Sequence, residues 1–491
     1  MAGSSGRRAL RPRLPRLATT VAGALLIALV APAVPAAART SYPSDDDKPS
    51  LNAILIGYRS LWRPSGDRDF TGGVRDSEQL RWNDRVTSWI NQHATRAQQF
   101  RALQNAEYQG SDGSGYDQSV TIADGLGQRL GALYVRGRIT GRLPLTAKLL
   151  NTSNGSAGKF LDTSKAKSSF GYPRPYLPVS SGAPRVGGDS SSCAPNRVNG
   201  ASLAKLRKGE PWATSSGNLR ITRVAATTDT SRRFATTDVR LDPGYGRDNL
   251  CEGGSFPSGH TTAAYSAGIT LATLLPELAP SILARTSEAA NNRIVLGVHY
   301  ALDVIGGRMV GEAAAAARWS DEKFRKKVLV PARTELVDYL QASCGDTLAA
   351  CIAADQAYRN DPYAGQRVPL GGSQLVADRR TAVMAYTERL SYGFAPSTPS
   401  ELGASVPGGA ANLLRTAFPT LTTTQRGQVL AQTQTTSGNA LDTTVLQLLG
   451  RADGSWQRLN LAAAMSATVT VSAAGSVTVL AVGGPPTVLA G

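Results

Sequence analysis

The stretch from Ser258 to Trp319 constrains the fold more than any other part of this chain. From Ser258 to about Leu275 it consists of small and apolar residues, among them Ala263, Ala264, Ala267, Ile269 and Leu271. A helix that is apolar around most of its circumference has to be buried on most sides. Pro276 and Pro280 punctuate the run. Further helices are predicted over Ser287–Tyr300 and Leu302–Trp319. The second of these carries Gly306, Gly307 and the run from Ala313 to Ala317, so neighbouring helices can approach it closely. Buried helices need other helices around them, and the expected fold is therefore mainly α, a helical bundle.

The flanking sequence supplies candidates for that surrounding layer. Val86, Ile90, His93, Ala97 and Phe100 recur at spacings of three and four, predicting one helix over 75–104. Ile122, Leu126, Leu130 and Leu133 predict another over 119–136, and residues 332–343 read as helical too. His93 sits on an apolar stripe and reads as a packed histidine, not a reactive one. Residues 39–74 look irregular. Residues 151–256 are rich in Gly, Ser, Asn and Pro and read as long ordered loops. The helical domain is bounded at 75–360. A linker region at 361–410, richest in Pro, Gly and Ser over 395–409, leads to a small mixed α/β region at 411–491. There Leu413–Phe418 and Gln425–Gln432 read as helical. Val alternates with Thr and Ser around Ala473-Ala474-Gly475, which predicts a closing β-hairpin. Nothing in this region points to chemistry, so it reads as an accessory module, with surface attachment as one role open to it.

The first 38 residues read as a leader. Arg7, Arg8, Arg11, Arg13 and Arg16 precede an apolar stretch from about Leu17 to Val34, and Pro35-Ala36-Ala37-Ala38 follows. That order is a secretory signal, which implies a secreted or extracytoplasmic protein. No later segment offers ~20 unbroken apolar residues, so no integral membrane association is expected after cleavage. The formal charge is +17; such a field would attract anionic substrates, but on charge alone a solvated basic surface is the better reading. The basic residues form no stripe interleaved with aromatics, which argues against nucleic acid as a partner. Four cysteines, Cys193, Cys251, Cys344 and Cys351, suggest two disulfides in an exported chain. Three pairings exist. Sequence proximity favours Cys344–Cys351, which leaves Cys193–Cys251.

Three clusters carry the chemistry. The first runs from Lys167 to Arg174-Pro175, the second is Pro257-Ser258-Gly259-His260, and the third runs from Arg293 through His299 to Asp303. Lys167, Arg174 and Arg293 suit a doubly charged phosphate, the arginines as planar forks and the lysine as a point charge. Ser258 and Gly259 open a helix, whose free backbone N–H groups and positive dipole end make an anion site. His299 and Asp303 are four apart and would share a helix face, where the carboxylate fixes the ring tautomer and leaves the other nitrogen nucleophilic. His260, next to Gly259, is placed to protonate a leaving alcohol. Together these residues form a kit for phosphoryl transfer that needs no metal.

The three clusters resemble the signature of the type 2 phosphatidic acid phosphatase superfamily, which includes bacterial non-specific acid phosphatases and vanadium haloperoxidases. The resemblance implies a bundle of the acid phosphatase/haloperoxidase type and a secreted acid phosphatase acting on small phosphomonoesters through a phosphohistidine. It makes His299 the nucleophile, Asp303 its orienter and His260 the general acid. Lys167, Arg174, Ser258, Gly259 and Arg293 would bind phosphate. No cofactor is implied; in the alternative, a haloperoxidase, the same cage would hold vanadate. One departure is visible. The family usually has Ser before the third-cluster arginine, where this chain has Asn292, so adjusted phosphate contacts are expected there.

Overall fold

The computed structural model describes residues 41–490 apart from 67–71, 109–116, 152–154, 159, 177–200, 244 and 246–252. The leader, Cys193 and Cys251 lie outside the described residues. About half of the chain is helical, and the few sheets are small, so the fold is mainly α.

In chain order the main helices are α1 (Ser77–His93), α2 (Arg96–Glu107), α3 (Gln128–Ile139), α4 (Ser164–Phe170), α5 (Gly259–Leu274), α6 (Ala279–Val295), α7 (Ala301–Ser320), α8 (Val330–Cys344), α9 (Arg379–Ser391) and α10 (Thr423–Thr433). The helix expected over 75–104 is two. Ala94 turns extended, and the Thr95 side chain caps α2 by accepting from the Gln98 amide. The helix expected over 119–136 is also interrupted. A short helical segment ends at Gly127, whose φ of +112° only glycine adopts readily, and α3 starts there.

The centre of the molecule is the α5–α6–α7 trio. Every residue of α6 is buried, as is all of α7 except Ala317 and Ser320. Close approach at the site end depends on Gly307. A Cβ there would lie 2.6 Å from the Ser258 carbonyl oxygen, so a side chain would push α7 off the start of α5. The pair α5 and α6 is long and apolar enough to cross a membrane only if taken together, and it is bent by 114°; among the described residues no single helix is.

Residues 41–491 form one compact unit. The stretch 361–410 includes α9, a helix with no counterpart in the sequence reading. Arg389 on α9 donates to the Ala284 carbonyl and to Ser287 Oγ of α6. The C-terminal region is joined to α7 by Arg308, which donates to the Gln457 carbonyl at 2.7 Å and the Trp456 carbonyl at 3.2 Å. The hairpin β1 (Thr468–Val471) and β2 (Val477–Ala481) gains a third strand, β3 (Thr487–Ala490), parallel to β1. Cys344 and Cys351 are disulfide-bonded.

Candidate active site

The three clusters converge because local structure and backbone ties bring their ends together. Ser258 is the N-cap of α5: its hydroxyl accepts from the Thr261 amide at 3.2 Å, leaving Gly259 and His260 in the first turn. The Ser258 amide donates to the Asp303 carbonyl at 3.0 Å, which ties the start of α5 to the start of α7. Lys167 lies on α4 and reaches the second cluster's approach, donating to the Gly254 and Ser255 carbonyls at 2.8 and 3.1 Å. Arg174 reaches the third cluster, donating to the Val298 carbonyl at 2.9 Å.

His299 is not on a helix. The helix expected over Ser287–Tyr300 starts earlier, at Ala279, and stops at Val295; α7 begins only at Ala301. Tyr300 is the N-cap of α7 and Asp303 is its third residue. The Asp303 carboxylate accepts from the Tyr300 amide at 2.8 Å, as a capping residue does. The same oxygen, Oδ2, lies 3.0 Å from His299 Nδ1. The spacing of four therefore works through a helix start, not a shared helix face.

Hydrogen-bond logic sets the His299 tautomer. Arg174 Nη1 lies 2.9 Å from His299 Nε2, and a guanidinium can only donate. Nε2 is then the unprotonated nitrogen, and Nδ1–H donates to Asp303. Burial pulls the imidazole well below its ordinary pKa, and the charges of Arg174, Lys167 and Arg293 pull the same way, so the ring is neutral. Only 1% of His299 is exposed. His260 is depressed for the same reasons, burial first and then Arg293, Arg174 and Lys167. Burial also lowers Lys167 well below the usual lysine range, with Arg174 adding to it and Asp303 opposing. Asp303 is pushed up to about 6 by burial, against the donors on its carboxylate and the nearby cations. Lys167, Arg174 and Arg293 thus share a buried space with two histidines and Asp303, and their mutual repulsion is what a dianion would relieve.

Arg293, in the last turn of α6, is buried and acts electrostatically on Lys167, His260 and His299. Asn292 beside it is turned away: its Oδ1 accepts from Gln98 of α2 at 2.5 Å, and its amide nitrogen faces Asn105 at 2.7 Å. Its side chain therefore serves α2–α6 packing. His93 stands apart, stacked on Trp89 with ring centroids 4.3 Å apart. A cavity of about 930 Å³ lies elsewhere, between the Pro43–Ile54 segment, the end of α7 and the C-terminal region around Trp456, and none of the eight residues lines it.

Several residues that serve the site were not anticipated. Ser255 Oγ donates to Asp303 Oδ2. On α1, Asn83, Thr87 and Asn91 form a polar ladder at spacings of four. Their side chains bond the Leu302 amide (3.0 Å), the Ala301 amide (3.2 Å) and the Val295 carbonyl (2.8 Å), and so clamp the loop that presents His299. The spacing was there to be read, but polar periodicity is a weaker signal than apolar. Arg207 pairs with Asp84 at 2.7 Å and donates to the Tyr300 hydroxyl at 2.9 Å.

Residues 149–327 match the PAP2 superfamily model, a span that holds all eight residues of the three clusters. The chain is similar to the acid phosphatase of Zymomonas mobilis, 38% identical over 105 residues, and to the non-specific acid phosphatase of Providencia stuartii, 34% identical over 97 residues. A third similar protein is the non-specific acid phosphatase of Salmonella typhimurium, 34% identical over 91 residues. These alignments cover 21%, 20% and 18% of this chain and 39%, 39% and 36% of the relatives. The chain thus carries a PAP2 superfamily domain and is homologous to bacterial non-specific acid phosphatases, while it spans less than two fifths of those relatives' length.

Proposed function

We propose that the PAP2 superfamily domain of this chain is an acid phosphatase that hydrolyses small phosphomonoesters through a phosphohistidine on His299. The observation that carries the reading is the His299 ring, held between Asp303 and Arg174 so that Nε2 is unprotonated and faces a cluster of cations. In this reading a phosphate oxygen takes over the Arg174 donor and frees Nε2. Lys167, Arg174, Arg293, the Ser258 hydroxyl and the amides of Gly259 and His260 bind the other oxygens and stabilise charge in the transition state. Nε2 bonds to phosphorus as the bond to the ester oxygen breaks. His260 gives its proton to the departing alcohol. Neutral His260 then accepts a proton from the water that hydrolyses the phosphohistidine, and phosphate leaves. Side chains supply all the positive charge, so the reaction calls for no cofactor.

The pH dependence follows from the cations. His260 must be protonated to act, and its lowered pKa confines the protonated form of the free enzyme to acidic pH. A bound dianion neutralises the same cations and lifts His260 back toward its ordinary value. The alkaline limb of kcat should therefore lie at higher pH than that of kcat/KM, since the first reports the complex and the second the free enzyme. Coincident limbs would count against His260 as the acid.

The test is phosphate release from an aryl phosphate with a strong chelator present. The wild type should turn over, and His299→Ala should lose about 10⁴-fold or more. Turnover that survives in the variant sinks the nucleophile, and turnover that the chelator abolishes sinks the cofactor-free mechanism. We propose as well that residues 1–38 direct export. Protein recovered from culture medium should begin near Arg39, and an intact leader on it would overturn this.

A further inference from the structure

We infer that Ser255 is a positioning residue of this site: its hydroxyl holds the Asp303 carboxylate in the orientation that presents His299 Nε2. The inference rests on the phosphatase reading for its kinetic consequences and on geometry alone for its structural one.

Ser255 is fully buried and its backbone is held at both ends. Its amide donates to the Tyr172 carbonyl at 2.7 Å, and its own carbonyl accepts from Lys167 Nζ at 3.1 Å. From that fixed frame the hydroxyl donates to Asp303 Oδ2. This one oxygen also receives the Tyr300 amide at 2.8 Å and His299 Nδ1 at 3.0 Å. No donor among the described residues reaches the other oxygen, Oδ1. All the restraint on the carboxylate plane therefore acts at one atom. The Tyr300 donor belongs to the helix start, and His299 is the group being controlled. Ser255 is the remaining side-chain hold, and without it only the Tyr300 amide restrains the carboxylate from turning about its Cβ–Cγ bond and presenting its other oxygen to the ring.

The direction of the hydrogen bond carries the chemistry. If the hydroxyl donates, Asp303 is ionised and can accept Nδ1–H, so Nε2 keeps its lone pair. If a protonated carboxyl donated to the serine instead, Nδ1–H would lose its charged acceptor. Lys167 on α4 and Arg174 beyond it favour the ionised form, while the buried hydroxyls of Tyr58, Tyr172 and Tyr300 crowd it without adding positive charge. Asp303 and His299 are hydrogen-bonded at 3.0 Å, so the acidic limb of the rate profile depends on the protonation of both. A donor to a carboxylate favours its charged form. Removing that donor raises the pair's pKa and moves the acidic limb to higher pH.

The experiment compares wild type, Ser255→Ala and Ser255→Cys on an aryl phosphate across pH, with thermal melts to confirm folding. A hydrogen bond to a charged group is worth about ten- to a hundredfold. Ser255→Ala should lose about that much in kcat, and its acidic limb should rise by about one to two pH units. KM should change by less than about threefold, because the bond to Lys167 comes from the backbone and survives the substitution. Ser255→Cys keeps a weak donor and should recover part of both effects. Proton NMR supplies a readout independent of turnover: the low-field line of His299 Nδ1–H should move upfield in Ser255→Ala. A folded Ser255→Ala with the wild-type limb and the wild-type proton line overturns the inference. So does a loss shared equally by kcat and KM with the limb unmoved, which would mean a structural role only. A wild type inactive on every phosphoester would sink the phosphatase reading, while the NMR line would still decide Ser255.

Discussion

Two regions of this molecule bury arginine, and they do it in opposite ways. In the C-terminal region Arg458 is almost fully buried, and its guanidinium is surrounded by acceptors: the Thr435 carbonyl at 3.0 Å, the Gly403 carbonyl at 2.7 Å and Thr444 Oγ1 at 3.1 Å. Arg426 is held likewise by the carbonyls of Ala411, Phe418 and Leu421. At the candidate site, Arg174 is as deeply buried but shares its space with Lys167 and Arg293, and its Nε finds no acceptor among the described residues. A guanidinium saturated by carbonyls is a rivet. Cations set against one another store unfavourable energy that a ligand of opposite charge would release. Burial alone does not mark a functional charge; the balance of its partners does.

That contrast breaks most visibly at the two arginines themselves. Arg174→Met should cut kcat/KM by about a thousandfold, since in the proposed mechanism it removes both a phosphate donor and the group that sets the His299 tautomer. It should not lower the melting temperature, because it also removes like-charge repulsion. Steady-state kinetics and a thermal melt on one preparation check both halves. A variant that melts several degrees lower would show that Arg174 is also a rivet. Arg458→Met should do the reverse. It leaves several buried carbonyls without a donor and should cost about 2–4 kcal/mol in denaturant unfolding, with kcat of the folded enzyme unchanged. A fall in kcat at full folding would tie the C-terminal region to the chemistry.

The same contrast explains how much of this was legible in the sequence. The three clusters could be picked out of the sequence because each is local, and the structure brings their ends together. The buried α5–α6–α7 trio was readable from apolar content, although its boundaries moved: the turn that carries His299 hides inside what looked like a continuing helix. The partners that tune these residues were not readable. Ser255 meets Asp303 across 48 positions, and Asp84 meets Arg207 across 123, and neither pairing has a local signature. Helix α9 was missed for a different reason. It is flanked by Pro- and Gly-rich sequence, and its buried face (Ala382, Val383, Ala385, Tyr386, Arg389 and Leu390) mixes small residues with an arginine, a weak apolar signal. The break at Thr95 was readable in principle, from a threonine three residues before Gln98.

Asn292 is the sharpest place to draw the boundary between site and scaffold. It adjoins Arg293, and by resemblance a serine would be expected there, yet its side chain is spent on Gln98 and Asn105. Gln98 in turn bonds Glu288 at 3.0 Å, so Asn292 belongs to the α2–α6 network. Asn292→Ser should therefore lose about 1–2 kcal/mol of stability through the broken amide contacts. KM and kcat should stay within about threefold of wild type, because the Arg293 backbone is held from elsewhere in α6. Denaturant unfolding and substrate saturation on the same variant measure the two separately. A tenfold change in KM with stability intact would mean that residue 292 reaches the phosphate after all, and that the line between rivet and reactive charge runs one residue further along α6 than the contacts indicate.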